Sequence, residues 1–194
     1  MSLKFNKKHN DMQNKPEGVI GLPPSKFPDE RLFLYALMRA IQPKKVIEIG
    51  VSAGVGMVAG CRALKENGQG VWVGVDDWST KHGGKARSPD VPKKNVIKDG
   101  TPEKFFKFVS SDSQKYLKSQ PDNSADVVIV DGNHSFEFAY KDSIEAIRVS
   151  RYLVLVHDAC NLPGVHKACN KLSLRGVFIT SSRGYYMINV GGGK

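Results

Sequence analysis

The stretch Val46-Ile47-Glu48-Ile49-Gly50-Val51-Ser52-Ala53-Gly54 runs from an apolar segment through an acid into a turn of small residues. It constrains the fold more than any other segment, because apolar runs with polar ends recur down the chain. Asp76-Asp77, Asp112-Ser113-Gln114, Asp131-Gly132-Asn133-His134 and His157-Asp158 follow in order. Side chains at the carboxyl ends of successive parallel strands converge on one crevice, the usual ligand site of an open α/β sheet.

The segments between these ends alternate in type. Pro28-Asp29-Glu30 places proline and acids where a helix N-terminus favours them, and Pro43 ends that helix. Strands are expected over Lys45 to Ile49, Gly70 to Asp76, Phe106 to Ser110, Asp126 to Val130 and Tyr152 to Val156. Helices are expected over Val55 to Asn67, around Tyr116-Leu117, and over Gly164 to Leu172. Phe136, Tyr140, Ile144 and Ile147 recur at helical spacing behind Ser135, an N-cap residue type. Gly176 to Thr180 and Tyr185 to Val190, parted by Ser181-Ser182-Arg183-Gly184, read as a terminal hairpin. The pattern predicts a doubly wound α/β fold whose mostly parallel sheet carries a C-terminal antiparallel hairpin.

Residues 1–28, with four prolines, are expected to be an irregular arm, and residues 29–194 a single domain. At 194 residues the chain is long enough for one full core and short for two. One connection, 78–105, is long and rich in glycine and proline; it is expected to form a substrate lid. No apolar run approaches the roughly 20 residues needed to span a bilayer. The N-terminal segment is polar, and the three cysteines are odd in number and lack metal spacing. Both suit a cytoplasmic protein with reduced thiols.

The formal charge of +10 is uneven. Residues 78–102 hold six Lys or Arg against two acids, and residues 161–194 hold five against none. Basic segments beside a crevice raise the local concentration of an anionic ligand. No groove-reading nucleic-acid motif is visible, although the basic C-terminal segment keeps nucleic acid open as a partner. Oligomeric state is left open as well, a homodimer included.

A strand-to-helix turn of small residues lets a ligand approach the backbone and its free N–H groups. The Gly50, Gly54 and Gly56 spacing also fits a short-chain dehydrogenase. That reading expects a Tyr-x-x-x-Lys pair, and none of the six tyrosines has a lysine four residues on. It also sets Glu48 beside an anionic pyrophosphate, whereas an acid suits a ligand with a positive end.

Glu48-Ile49-Gly50-Val51-Ser52-Ala53-Gly54 resembles the Glu-x-Gly-x-x-x-Gly motif of the class I S-adenosylmethionine-dependent methyltransferases. The nearest likeness is to the small O-methyltransferases of the catechol and caffeoyl-CoA type and their bacterial relatives, and it runs from about Pro28 through His166. The resemblance implies a Rossmann-like fold with the methionine end of S-adenosylmethionine on Glu48, Gly50, Ser52 and Gly54. It also implies the ribose on Asp76 or Asp77, with Asp76 preferred, and the adenine beside Asp112, Ser113 and Gln114. Asp131 closes the cofactor site.

In catechol-type enzymes a lysine three residues after the equivalent of Asp131 acts as general base, and His134 stands there instead. An imidazole can take a proton from a hydroxyl near neutral pH. Asp131 and Asp158, at the ends of strands about 4.8 Å apart, could share a cation such as Mg²⁺. The cation-dependent relatives add an asparagine directly after the second aspartate; Ala159 holds that place, leaving Asn161 or His134 as substitutes. His157 lines the acceptor pocket or caps its strand. The expected function is O-methylation of a small anionic acceptor, with His134, Asp131 and Asp158 catalytic. The rivals are a nicotinamide-dependent Rossmann oxidoreductase and a non-catalytic cofactor- or nucleic-acid-binding module.

Overall fold

The computed structural model describes residues 29–79, 81–82, 85–86, 88–174, 176–180 and 183–191. The arm expected over 1–28 lies outside them. Helix α1 (Asp29–Ile41) buries Leu34 and Met38. It ends where Gln42 takes a positive φ of 52° ahead of Pro43. Strand β1 (Lys45–Ile49) leads through the small-residue turn into α2 (Val55–Asn67). Gly68 stops α2 at φ 73°, its N–H donating to the Lys65 carbonyl, the left-handed closure that glycine permits without strain.

Strand β2 (Val71–Asp76) follows, then β5 (Phe106–Ser110), helix α4 (Ser113–Ser119), β6 (Ala125–Val130), α5 (Phe136–Val149), β7 (Ser150–His157), α6 (Pro163–Lys171), β8 (Val177–Ile179) and β9 (Tyr185–Asn189). Seven strands form one sheet in the order β5-β2-β1-β6-β7-β9-β8. The first five are parallel to one another. Strand β9 runs against both its neighbours, so β8 again points with the parallel set. The terminal hairpin thus joins the β7 edge through its second strand: β9 lies between β7 and β8. Strand order reverses between β1 and β6, and that switch point opens the crevice.

Both sheet faces are covered, as the run of four apolar residues Val127–Val130 in β6 requires. Ile47, Val128 and Val154 pack with α4, α5 and α6 on one face. Val46, Trp72 and Leu155 pack with α1 and α2 on the other. Helix α5 departs from expectation. Its fully buried residues are Ala139, Asp142, Ser143, Ala146 and Val149, with Ile144 exposed. Small residues let the helix approach the sheet closely, while Phe136 and Tyr140 stack at its flank with ring centroids 5.9 Å apart.

The segment 78–105, expected as one irregular loop, is mostly built. Strands β3 (Lys81–His82) and β4 (Lys85–Ala86) form a short antiparallel ladder, and α3 (Asp90–Lys98) and a 3₁₀ turn at Glu103–Phe105 follow. Pro92 is tolerated because it lies in the first turn of α3, where an N–H has no intrahelical partner. Val96 and Thr101 are buried, and Asp99 forms a buried two-point ion pair with Arg62 of α2, its Oδ2 accepting from Nε at 2.9 Å. This half of the segment is scaffold.

Candidate active site

Gly50, Ser52 and Gly54 take positive φ values of 84°, 53° and 74°. A Cβ on Gly50 would lie 2.1 Å from the Asp131 carbonyl oxygen, so only glycine lets β1 and β6 part here. The Val51 and Ser52 N–H groups donate to Oδ2 of Asp76 at 2.9 and 3.1 Å, and the Trp78 N–H donates to Oδ1 at 2.8 Å. Asp76 thus ties the first turn to the second strand end. Asp77 is exposed and accepts from the Ser79 N–H at 2.9 Å, a bond that holds its carboxyl below the ordinary range. From above, α3 packs Pro92 against Gly54, and the Asn95 side chain donates to the Ala53 carbonyl at 2.9 Å.

Glu48 stands apart from these groups. It is 3% exposed, and its Oε2 accepts from Trp72 Nε1 at 2.8 Å. Burial pushes its carboxyl up to about 8, with the Trp72 bond working the other way. At neutral pH the residue is a sealed, neutral acid between β1 and α2.

On β2's other neighbour, β5, Asp112 caps α4 by accepting from the Lys115 N–H at 2.9 Å. Ser113 Oγ donates to Oδ1 of Asp142 at 2.9 Å, and Gln114 Nε2 donates to the same oxygen. Asp142 had no place in the sequence reading; as one of three acids in an amphipathic helix, with Glu137 and Glu145, it gave no signal there.

Across the switch point, β6 and β7 bring together Asp131, His134, His157 and Asp158. His157 Nδ1 lies 3.0 Å from Asp131 Oδ1, and His134 Nε2 lies 3.5 Å from Asp131 Oδ1 and 3.2 Å from Asp158 Oδ2. Asp158, at a positive φ of 59°, is 2% exposed. Its Oδ1 is buried without a hydrogen bond; Arg183 Nη1 comes no nearer than 3.8 Å. Asp131, His134 and Asp158 each place one ligand-type atom within 4.8 Å of the others.

Charge is concentrated here. The Asp131 and Asp158 bonds raise His134 to about 9. Burial alone would lower His157, but Asp131 and Glu30 outweigh it and hold the ring well above its usual value. The two histidines in turn keep Asp131 below the ordinary carboxylate range despite its burial. Glu30, on α1, was not legible from sequence as a site neighbour. It receives the Gly184 N–H at 3.0 Å and approaches His157 Nε2 at 3.5 Å. One side chain thereby joins the first helix, the last hairpin and the histidine.

Residues 47–159, more than half of the chain, match the model of a methyltransferase-domain family. A search of the curated proteins by sequence found no match. Among solved structures, the chain is similar to cofactor-bound Rv0187 from MTB at a TM-score of 0.63 and 18% identity, covering 87% of this chain and 83% of that one. It is similar to a putative O-methyltransferase from Klebsiella pneumoniae at a TM-score of 0.63 and 16% identity, over 89% and 85% of the two chains. A third is the O-methyltransferase TomG from Streptomyces achromogenes, solved with SAM and involved in tomaymycin synthesis; its TM-score is 0.60 at 16% identity, over 84% and 80%. These likenesses bear out the fold.

Proposed function

Because the chain belongs to the methyltransferase-domain family, we propose that it uses S-adenosylmethionine to methylate a hydroxyl oxygen of a small anionic acceptor. One observation carries the reading: the sheet sets the turn 50–54, Asp76 and Asp112–Gln114 side by side on β1, β2 and β5, and the Asp131, His134 and Asp158 cluster directly across the switch point. Structures with O-methyltransferase in their names share the fold. The cofactor, when bound, supplies an electrophilic sulfonium methyl.

In this reading the backbone of Gly50, Ser52 and Gly54 receives the methionine end, Asp76 or Asp77 the ribose hydroxyls, and Ser113 and Gln114 the base. Asp76 also orders the turn through its three N–H partners. Glu48, expected at the methionine end as well, supports the turn from beneath through its bond with Trp72. On the far side Asp131 and His134 face the acceptor hydroxyl. As the acceptor oxygen is methylated, His134 would take the proton its hydroxyl gives up. Paired with two carboxylates, His134 keeps its own proton to about pH 9. Its service as a base therefore requires that those carboxylates be otherwise engaged.

A divalent cation fits that need, because the buried Oδ1 of Asp158 accepts no hydrogen bond and has only the distant Arg183 guanidinium, at 3.8 Å, beside it. Asp131 and Asp158 would hold it, two carboxylates suiting Mg²⁺ or Mn²⁺, and His134, released from them, would stay free to take the proton. Such an ion would lower the pKa of an acceptor hydroxyl. The basic character of 78–102 supports an anionic acceptor, and we assign the acceptor-side cover to Trp78, Ser79 and the β3–β4 ladder, ahead of the α3 scaffold.

Calorimetric titration with S-adenosylhomocysteine, together with an acceptor screen reading its release, tests the reading. Binding in the micromolar range with turnover on a phosphorylated, sulfated or carboxylated hydroxyl compound is expected. Binding of NADPH with none of S-adenosylhomocysteine would favour the oxidoreductase. Binding without turnover on any acceptor, with or without Mg²⁺ or Mn²⁺, would favour a non-catalytic module.

A further inference from the structure

Arg183 takes part in no step above, although it stands beside Asp158. Its backbone is held from two sides. The Arg183 and Gly184 N–H groups both donate to Glu30 Oε1 of α1, at 2.5 and 3.0 Å. The Arg183 and Gly184 carbonyls accept from the Cys160 and Ala159 N–H groups, at 3.0 and 3.3 Å. The end of the turn that leads into β9 is thereby tied to the first helix and to the two residues that follow Asp158. A hairpin tip is ordinarily mobile. This side chain instead starts from a fixed point.

The guanidinium is 39% exposed, and its Nη1 lies 3.8 Å from Asp158 Oδ1, too far for a hydrogen bond. Among the described residues, none accepts a hydrogen bond from it. An arginine carries five N–H donors in one plane, and two of them match the two oxygens of a carboxylate. Here that fork is positioned and uncommitted. The other oxygen of Asp158, Oδ2, meets His134 Nε2 at 3.2 Å and His157 Nδ1 at 3.6 Å. Asp158 is thus served by two imidazoles, and Arg183 keeps its charge for a second anion.

The same geometry limits the size of what binds. His134 and Arg183 approach the two oxygens of one carboxylate, so little more than the width of that group parts them. A molecule whose hydroxyl meets His134 and whose anion meets Arg183 therefore carries the two only a few bonds apart. One guanidinium balances one negative charge. A dianionic phosphate would set its second charge against Asp158, whereas a carboxylate has none to set.

We propose that Arg183 is the specificity-determining residue for the acceptor, binding a carboxylate that lies a few bonds from the hydroxyl presented to His134. The proposal rests on the methyltransferase reading and deepens it: among anionic acceptors it selects the small hydroxycarboxylates. It also puts the direct contact on the terminal hairpin, leaving the lysines of 78–102 to the long-range field.

The test is calorimetry in the presence of S-adenosylhomocysteine and Mg²⁺, with 3-hydroxybenzoate and 3-hydroxybutanoate each set beside its uncharged amide. The intact protein should bind at least one carboxylate about tenfold or more tightly than its amide. Arg183→Gln keeps the N–H and carbonyl that hold the turn, and should bring that ratio to within about threefold of unity. Arg183→Lys keeps the charge without the fork and should fall between the two. Lys93→Gln, which removes a charge from the α3 scaffold, should leave the ratio unchanged. If neither carboxylate is preferred to its amide by the intact protein, the proposal fails. It fails equally if Arg183→Gln weakens acid and amide alike, as a structural role would, or if Lys93→Gln lowers the ratio as far. Failure of the intact protein to bind S-adenosylhomocysteine at all would instead overturn the methyltransferase reading beneath it.

Discussion

The two sides of the switch point are built on opposite terms. On the β1–β2–β5 side the polar groups of the turn are paired within the protein: Asp76 with three backbone N–H groups, Glu48 with Trp72, Asn95 with Ala53. On the β6–β7 side His134 and His157 are each shared between carboxylates, and Asp158 keeps a buried oxygen that accepts no hydrogen bond. The first side is a finished mould whose shape is fixed before any ligand arrives. The second stores unspent polar capacity, which is where a reaction that creates and moves charge needs it.

If that division holds, Asp158→Ala should reduce turnover by about 10²–10⁴-fold while S-adenosylhomocysteine affinity stays within about threefold. Chelation of the intact protein should mimic the variant if a cation is held there. A parallel fall in cofactor affinity would break the comparison, since the two sides would then be one network.

Gly50→Ala attacks the seam between the sides. The added carbon meets the Asp131 carbonyl oxygen at 2.1 Å and sits at a φ of 84°. Stability should fall by about 3–5 kcal/mol in urea denaturation, through clash and backbone strain together. A loss under 1 kcal/mol would mean that the two turns can separate freely.

Removing one partner of the Arg62–Asp99 pair should cost about 3 kcal/mol, because the other charge stays buried alone. Asp99→Ala should leave the kinetics of the folded fraction nearly unchanged. A large kinetic effect would move α3 from scaffold to machinery.

The smallest effect concerns Glu48. Its carboxyl ionises near 4.5 when unfolded and about 8 when folded. The folded state therefore binds the proton more tightly. The stabilisation is complete below about pH 4.5, falls as pH rises, and is gone above about 8. Glu48→Gln keeps an acceptor for Trp72 and removes this slope. Relative to the parent, it should gain roughly 2 kcal/mol between about pH 6 and about pH 7.5. Equal slopes in the two proteins would show that Glu48 is charged in the native state, returning it to the crevice as an anion.

What sequence could reveal followed from local pattern. β1, α2 and β5 lie where apolar runs, turn residues and Gly68 placed them, and the polar strand ends do gather at one crevice. What it could not reveal depended on partners distant in the chain. The acid of Glu48 reads as charged until Trp72 and α2 close over it. Asp142 and Glu30 read as ordinary helix residues until α4 and the 183–184 turn are brought against them. Helix α3 was obscured by Pro92, whose place in the first turn is harmless only once the helix start is known. On α5 the large apolar residues drew the eye, while the small ones, Ala139, Ser143 and Ala146, occupy the sheet-facing side.

The position of β9 between β7 and β8 sets an order of assembly. Strand β8 touches the sheet only through β9, so a nascent chain that has reached Thr180 has made β8 but cannot seat it. Until Tyr185–Asn189 emerges, β7 remains an open edge, and exposed strand edges invite pairing with other chains. Tyr185, which pairs with His157 in the ladder and stacks near its ring at 4.8 Å, arrives in the same step. Closure of the sheet and completion of the histidine's surroundings are therefore one late event during synthesis, and a ribosome stalled before that strand would display a sticky, catalytically unfinished protein.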